Sequence, residues 1–403
     1  MGNITDLFGN TRFITPETEG IKYAGSKLKI LPHILDIVSE LPVRKVLDGF
    51  SGSTRVSQAF AKLGFDTTSS DCSEWSKTLA TAYLLNKEQP KYYLELLNYL
   101  NSLKGYEGWF SEHYGGTLDN KEKRPFQLKN TKKLDAIRDA IDKLDLNEVT
   151  KSVALTSLIL ALDSVDSTLG HYVAYLADWS PRSHNDLVLK LPKLFISTGE
   201  NKVVQGDIFD TIQQNSFDLA YFDPPYGSNN DKMPPSRVRY NSYYHLWKTV
   251  ILNDKPQLFG KANRREDSRD DVAASVFEEF RKDDDGHFIA MKAIQKMLEQ
   301  TDANYILLSY SSGGRATKEK LFDILNSNGK LLKATEIDYK KNVMGNMRWT
   351  HEWVNSDGRY CEYLFLLEKH NVVPNQKRTD FMMQYKELTT ADPQSILVTE
   401  TTN

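Results

Sequence analysis

Lys45-Val46-Leu47-Asp48-Gly49-Phe50-Ser51-Gly52-Ser53 is the stretch from which the rest of the chain can be read. A short apolar run ends in an acid, and a turn of glycines and serines follows it. Beyond the turn, Val56, Ala59, Phe60 and Leu63 recur at helical spacing and Gly64 supplies a stop, so the segment predicts strand, turn and helix in succession. Phe65 to Ser70 reads as a second strand that delivers Asp71. Strand, helix and strand in this order make one βαβ unit of a parallel α/β sheet. Upstream, Ser26 stands where it would cap a helix from Lys27 to about Glu40, with Leu28, Leu31, Ile34, Leu35 and Val38 on one face.

Strand-like runs return at Lys202 to Gln205, Phe217 to Phe222, Tyr305 to Ser309, Lys330 to Ile337 and Tyr363 to Leu367. Between the two groups of strands the texture is helical and rich in Tyr, Leu and Lys, as in Pro90 to Leu103 and Lys132 to Leu144 around a loop at Gly115-Gly116. The apolar run Val153 to Leu162 is too short to cross a bilayer and reads as a buried helix. The expected organisation is an α/β domain built from residues 1–85 and 200–370, a mostly helical insertion over 86–199, and a polar tail over 371–403.

The 403 residues carry 51 Lys plus Arg against 54 Asp plus Glu, a formal net charge of −3, and 40% of them are hydrophobic. That is enough apolar material for a large core, and it excludes collagenous, mucin-like and fully disordered chains. Cys72 and Cys361 form neither a disulfide framework nor a zinc motif, which predicts a reducing cytoplasm and no metal. Met1 to Asp6 lacks a basic region followed by an apolar one, so no secretory signal and no membrane association are expected. With net charge near zero, any nucleic-acid binding has to come from local basic patches.

A glycine turn after a strand lets backbone N–H groups approach a ligand at a helix N-terminus, and Asp71 follows Asp48 by 23 residues, where a carboxylate can accept from ribose hydroxyls. A plain strand–turn–helix with a solvent-facing Asp71 has the same local pattern. Asp223-Pro224-Pro225-Tyr226 is more specific, because two prolines directly after the run Phe217 to Phe222 mark the carboxyl end of a strand, on the edge where α/β sheets hold their ligands. The chemistry that suits this set is methylation of an amine conjugated to an aromatic ring. The Asp223 carboxylate and the Pro224 carbonyl accept its two hydrogens, the prolines fix the carbonyl, and Tyr226 offers a face for an extruded base. The bland alternative is a Pro-Pro turn with Asp223 on the surface.

In these motifs the chain resembles the group-alpha, Dam-like family of N6-adenine-specific DNA methyltransferases, up to about residue 370. The resemblance rests on Lys22-Tyr23-Ala24-Gly25-Ser26-Lys27, the Asp48 to Ser53 turn, Asp71, Gln205-Gly206-Asp207-Ile208 and Asp223 to Tyr226, in that order. It implies a Rossmann-like class I methyltransferase sheet with an inserted, mostly helical target-recognition domain, and S-adenosyl-L-methionine as cofactor. It also implies that Tyr23, Ala24, Gly25, Lys27, Asp48, Phe50 and Gly52 surround the methionine part, that Asp71 takes the ribose, and that Asp207 and the Ile208 backbone read the cofactor's adenine. Asp223, Pro224, Pro225 and Tyr226 are the implied catalytic set. Two positions depart from the family turn: Gly49 stands where a proline is usual and Thr54 where the last glycine is usual.

For double-stranded DNA, Lys121, Lys123, Arg124, Lys129, Lys132 and Lys133 form one candidate phosphate-contacting patch, with Arg237 and Arg239 a second, and a solvated surface loop is the other reading of the first. Arg264-Arg265 and Lys340-Lys341 with Arg348 are further basic clusters that read equally as charged surface. Pairing with a restriction endonuclease fits the resemblance, and a monomer is the expected state. Two other readings stay open: a methylase of another amino or amide group, in RNA or a protein glutamine, and a non-catalytic DNA-specificity subunit.

Overall fold

The computed structural model describes residues 3–5, 11–13, 15–119, 123–227, 239–269, 275–279, 281–338 and 361–369. Lys121, Arg237, Lys340, Lys341, Arg348 and the expected tail over 371–403 lie outside the described residues.

In chain order the main elements begin with α1 (Leu31–Ser39), β1 (Lys45–Asp48), α2 (Arg55–Lys62), β2 (Asp66–Asp71) and α3 (Glu74–Leu84). The helical stretch follows as α4 (Leu94–Ser102), α5 (Trp109–Tyr114), α6 (Leu128–Lys143) and α7 (Glu148–Val165). Then come β3 (Lys202–Gln205), α8 (Ile208–Gln213), β4 (Phe217–Phe222), α9 (Tyr240–Tyr243) and α10 (His245–Leu252). The chain closes with α11 (Ile289–Gln300), β5 (Ala303–Ser311), α12 (Lys318–Asn328), β6 (Gly329–Asp338) and β7 (Cys361–Lys369).

The seven strands form one sheet in the order β6-β7-β5-β4-β1-β2-β3. β7 runs antiparallel to both β5 and β6, and the pairs β5–β4, β4–β1, β1–β2 and β2–β3 are parallel. Every residue of β4 is buried, as a central strand covered on both faces requires. Alternation along it sends Ala220 and Phe222 into a core shared with α8, α11 and α12, and Leu219 and Tyr221 into one shared with α1 and α2.

The helical stretch over 86–199 does not stand apart from the sheet. Its α6 and α7 share one apolar cluster with α3 and with α10, which comes after β4 in sequence. That continuity leaves the boundaries of an insertion unmarked by any break in the core. Other expectations shift locally. The helix expected from Lys27 opens as a 3-10 turn over Lys27–Lys29, and α1 starts at Leu31, where Pro32 suits the first turn. Ser26 makes no side-chain cap, and Leu28 is half exposed. Gly115–Gly116, expected as loop, pairs in parallel with Phe126–Gln127.

Candidate active site at the carboxyl edge of the sheet

Parallel strands deliver their last residues to one edge. Asp48 closes β1, Asp71 closes β2, Asp207 caps α8 after β3, and Asp223 follows β4. The four carboxylates, with Tyr23, Gly25, Lys27, Phe50, Gly52, Ile208 and Pro225, line one cavity of about 380 Å3, a volume suited to a nucleoside-sized ligand. Three residues expected at the site are not in its wall: Ala24, Pro224 and Tyr226. Ala24 instead donates its N–H to the Tyr244 hydroxyl at 2.7 Å.

The turn between β1 and α2 is held by its own acids. Asp71 Oδ2 accepts from Gly52 N at 2.8 Å and Oδ1 from Ser73 N at 2.9 Å. Asp48 Oδ2 accepts from Ser57 N at 2.9 Å and Ser57 Oγ at 2.6 Å, whereas its buried Oδ1 has no partner among the described residues. Burial pushes the Asp48 carboxyl up to about 7 against the opposing bonds from Ser57. Gly52 has a φ of +46°, and a Cβ there would lie 3.1 Å from the Tyr23 ring, so glycine is needed on both counts. Tyr23 in turn stacks on Tyr240 and Tyr244 with centroids 5.3 and 4.9 Å apart.

Asp223 sits in a buried network. Lys27 Nζ lies 2.8 Å from Asp223 Oδ1, 3.0 Å from Glu362 Oε1 and 2.8 Å from the Tyr226 hydroxyl. The Tyr226 hydroxyl also donates to Asp223 Oδ1 and, at 2.5 Å, to Glu362 Oε1. Burial alone would lower Lys27, but the two carboxylates outweigh it and hold the ammonium above the ordinary lysine value. Burial raises Asp223, with Lys27 opposing and Glu362 adding to the rise. The Tyr226 ring lies against Tyr310, with centroids 4.9 Å apart, and Lys27 Nζ stands 4.9 Å from its centre.

The sequence did not point to Glu362, Ser309, Tyr240, Phe277 or Glu278. Glu362 is an acid at a buried position of β7, 7% exposed, and its place directly before the run Tyr363 to Leu367 is the one local signal it carries. Phe277 and Glu278 lie in a short 3-10 turn and line the cavity, and Glu278 Oε2 is buried with no partner among the described residues. Acids outnumber bases in the wall: Asp48, Asp71, Glu74, Asp207, Asp223 and Glu278 face Lys27, Arg55 and Lys248. A cation that also brings hydroxyl and amine donors matches such a lining.

Half of the basic stretch is helical. Lys129, Lys132 and Lys133 stand on the first two turns of α6. Lys129 pairs with Asp186 at 2.5 Å, Lys132 with Glu107 at 2.7 Å, and Lys133 donates to the Asn101 carbonyl at 2.6 Å. Lys123 is exposed, Arg124 half-buried and Arg239 buried. Among the described residues no cluster of His, Cys, Asp and Glu could hold a metal, and no helix is long and apolar enough to cross a membrane.

Sheet order, glycine turn and the Asp-Pro-Pro-Tyr loop on one cavity define a mixed α/β protein of the Rossmann-like methyltransferase class. The model of the D12 class N6 adenine-specific DNA methyltransferases matches residues 23–279, and the chain belongs to that family. It is 26% identical over 377 residues to the Type II methyltransferase M.FokI of Planomicrobium okeanokoites, a match covering 89% of this chain and 54% of that protein. It is 27% identical over 370 residues to the modification methylase StsI of Streptococcus sanguinis, covering 87% of this chain and 52% of that protein. With the Type II methyltransferase M.NlaIII of Neisseria lactamica it shares 26% identity over 359 residues, 87% of this chain and 99% of that one. The chain thus spans about half the length of the first two relatives. No solved structure gives a significant match.

Proposed function

We propose that the protein is a site-specific DNA adenine-N6 methyltransferase that uses S-adenosyl-L-methionine and serves as the modification enzyme of a restriction-modification system. The observation that carries this reading is the convergence of Asp48, Asp71 and Asp223 on one acid-lined cavity at the carboxyl edge of the sheet. The residues fit the cofactor: Asp48 Oδ1 and Glu278 Oε2 are buried acceptors without partners among the described residues. Tyr23, Gly25, Lys27, Phe50 and Gly52 would enclose its methionine part, Asp71 would accept from its ribose, and Asp207 with Ile208 would meet its adenine.

Bound S-adenosylmethionine supplies a methyl group carried on a positively charged sulfur. The chain's share of the chemistry is to make a poor nucleophile attack. The Asp223 carboxylate and the Pro224 carbonyl accept the two N6–H hydrogens of an adenine turned out of the duplex, which favours a pyramidal nitrogen with its lone pair free. Asp223 would then receive the proton that the alkylated nitrogen sheds. Burial strengthens each of these contacts, because little water competes inside the site. For the duplex, Lys121, Lys123 and Arg124 before α6, and Arg237 after the tetrapeptide, would meet backbone phosphates, whereas Arg239 is too buried for that role. The helices of 86–199 would carry target recognition, and the enzyme would act as a cytoplasmic monomer alongside an endonuclease.

The direct test is transfer of labelled methyl from S-adenosylmethionine to duplex DNA. Wild type is expected to label the DNA, and Asp223→Ala to lose at least about a hundredfold of the rate. Equal labelling by the two proteins would remove Asp223 from the mechanism.

A further inference from the structure

In the network described above, Asp223 Oδ1 is already engaged by two donors. It accepts from the Lys27 ammonium at 2.8 Å and shares the single hydrogen of the Tyr226 hydroxyl with Glu362. Both donors also reach Glu362 Oε1, Lys27 Nζ at 3.0 Å and the Tyr226 hydroxyl at 2.5 Å. Two carboxylate oxygens, one on the loop after β4 and one on β7, therefore share a single pair of donors. Ser309 Oγ, on the neighbouring β5, lies 2.8 Å from the same Glu362 oxygen.

Resting on the methyltransferase reading, we infer that Glu362 is a positioning residue: it takes over the Lys27 ammonium and the Tyr226 hydroxyl when a nucleobase amino group arrives, which frees Asp223 Oδ1 to accept from that group. Neither donor is left without a carboxylate when it leaves Asp223, because Glu362 Oε1 is already in reach of both. Charge is conserved too. Lys27 is 8% exposed, and an ammonium so buried needs a carboxylate beside it at every stage. Without Glu362, moving Lys27 off Asp223 would strand that charge, so Lys27 would stay on Asp223 Oδ1 and hold that oxygen.

The placement of Glu362 supports the role. It is fixed by the β5–β7 ladder, in which Ser311 is paired with Glu362 and Ser309 with Leu364, and not by a loop. Ser309 is fully buried and Glu362 is 7% exposed, so water does not compete for these bonds. A rigid strand can hold a carboxylate still while the loop from Asp223 to Gly227 adjusts around an incoming base.

Glu362→Gln tests this, since it keeps the side chain's shape and removes its charge. With S-adenosylmethionine and adenine-containing duplex DNA, kcat is expected to fall about ten- to a hundredfold while KM for the cofactor stays within about twofold. The acid limb of the kcat–pH profile should move to lower pH, because the like charge that raises Asp223 is gone and Lys27 pairs with Asp223 alone. A residue that only anchors the fold would lower thermal stability and leave kcat and the acid limb where they were, and that result overturns the inference. Should the Gln variant fail to fold, Glu362→Asp keeps the charge but withdraws the carboxylate by one methylene. It is expected to lose about tenfold in kcat with the acid limb in place, and full kcat in that variant overturns the handover. A wild type without any transfer would sink the methyltransferase reading, whereas an active wild type with an equally active Gln variant would sink this inference alone.

Discussion

Gly49 explains its own departure from the usual family turn. Its N–H donates to the Tyr221 carbonyl at 2.9 Å, a bond that proline has no hydrogen to make. A Cβ at this position would sit 2.6 Å from Phe222 Cδ1, so the approach of β1 to β4 admits only glycine. Gly49→Ala is expected to cost about 1–3 kcal/mol in urea unfolding, by forcing Phe222 off its place. Thr54 stands at the other departure with a φ of 62°, a left-handed conformation that glycine adopts more easily. The backbone bond from Thr54 N to the Ser51 carbonyl at 2.6 Å, and the bond from Gln58 Nε2 to Thr54 Oγ1 at 3.0 Å, hold it there. Asp48 adds a dependence on pH. Its folded carboxyl is raised to about 7 by burial, from 3.8 in the free side chain, so the folded state holds the proton more tightly. The stability it contributes is complete below about pH 4 and is lost as pH rises through 7. The difference in unfolding free energy between wild type and Asp48→Asn should therefore shrink from pH 4 to pH 7, and a flat difference would contradict the assignment.

Among the elements, β1 and β4 were legible because each is a short apolar run followed by an acid, and β2 because it comes directly after the Gly64 helix stop and ends in Asp71. α6 was misjudged at its start. It begins at Leu128, four residues before the expected Lys132, and of the lysines there Lys129 and Lys132 are paired with Asp186 and Glu107, acids distant in sequence. α7 is buried over most of its circumference and packs on α3, so the helical stretch and the sheet share one core. Leu158, fully buried in α7, tests that sharing. Leu158→Ala is expected to destabilise the protein by about 2–5 kcal/mol, and calorimetry should show one cooperative transition for it as for wild type. A separate early transition for residues 86–199 would mean that the stretch folds as an independent unit.

Taken as a whole, the molecule uses a parallel sheet to bring together residues that are distant in sequence, and only part of that assembly is written locally. The tetrapeptide at Asp223 and the turn at Asp48 declare themselves, because prolines and glycines restrict the backbone wherever they occur. Glu362 lies 139 positions after Asp223 (362 − 223), and only the antiparallel return of β7 beside β5 brings it to Lys27. Tyr240 and Phe277 likewise reach the cavity through packing and carry no motif. The same assembly yields a cavity whose acids outnumber its bases, in a chain with a formal net charge of only −3, so the site's field is a local arrangement and not a property of composition. The claim on which the rest depends is that this edge of the sheet methylates the exocyclic nitrogen of adenine. Nucleoside analysis of duplex DNA incubated with the protein and S-adenosylmethionine tests it most directly. N6-methyldeoxyadenosine as the one new nucleoside is the predicted result, and a modified cytosine, or methyl groups found only in RNA or protein, would contradict it.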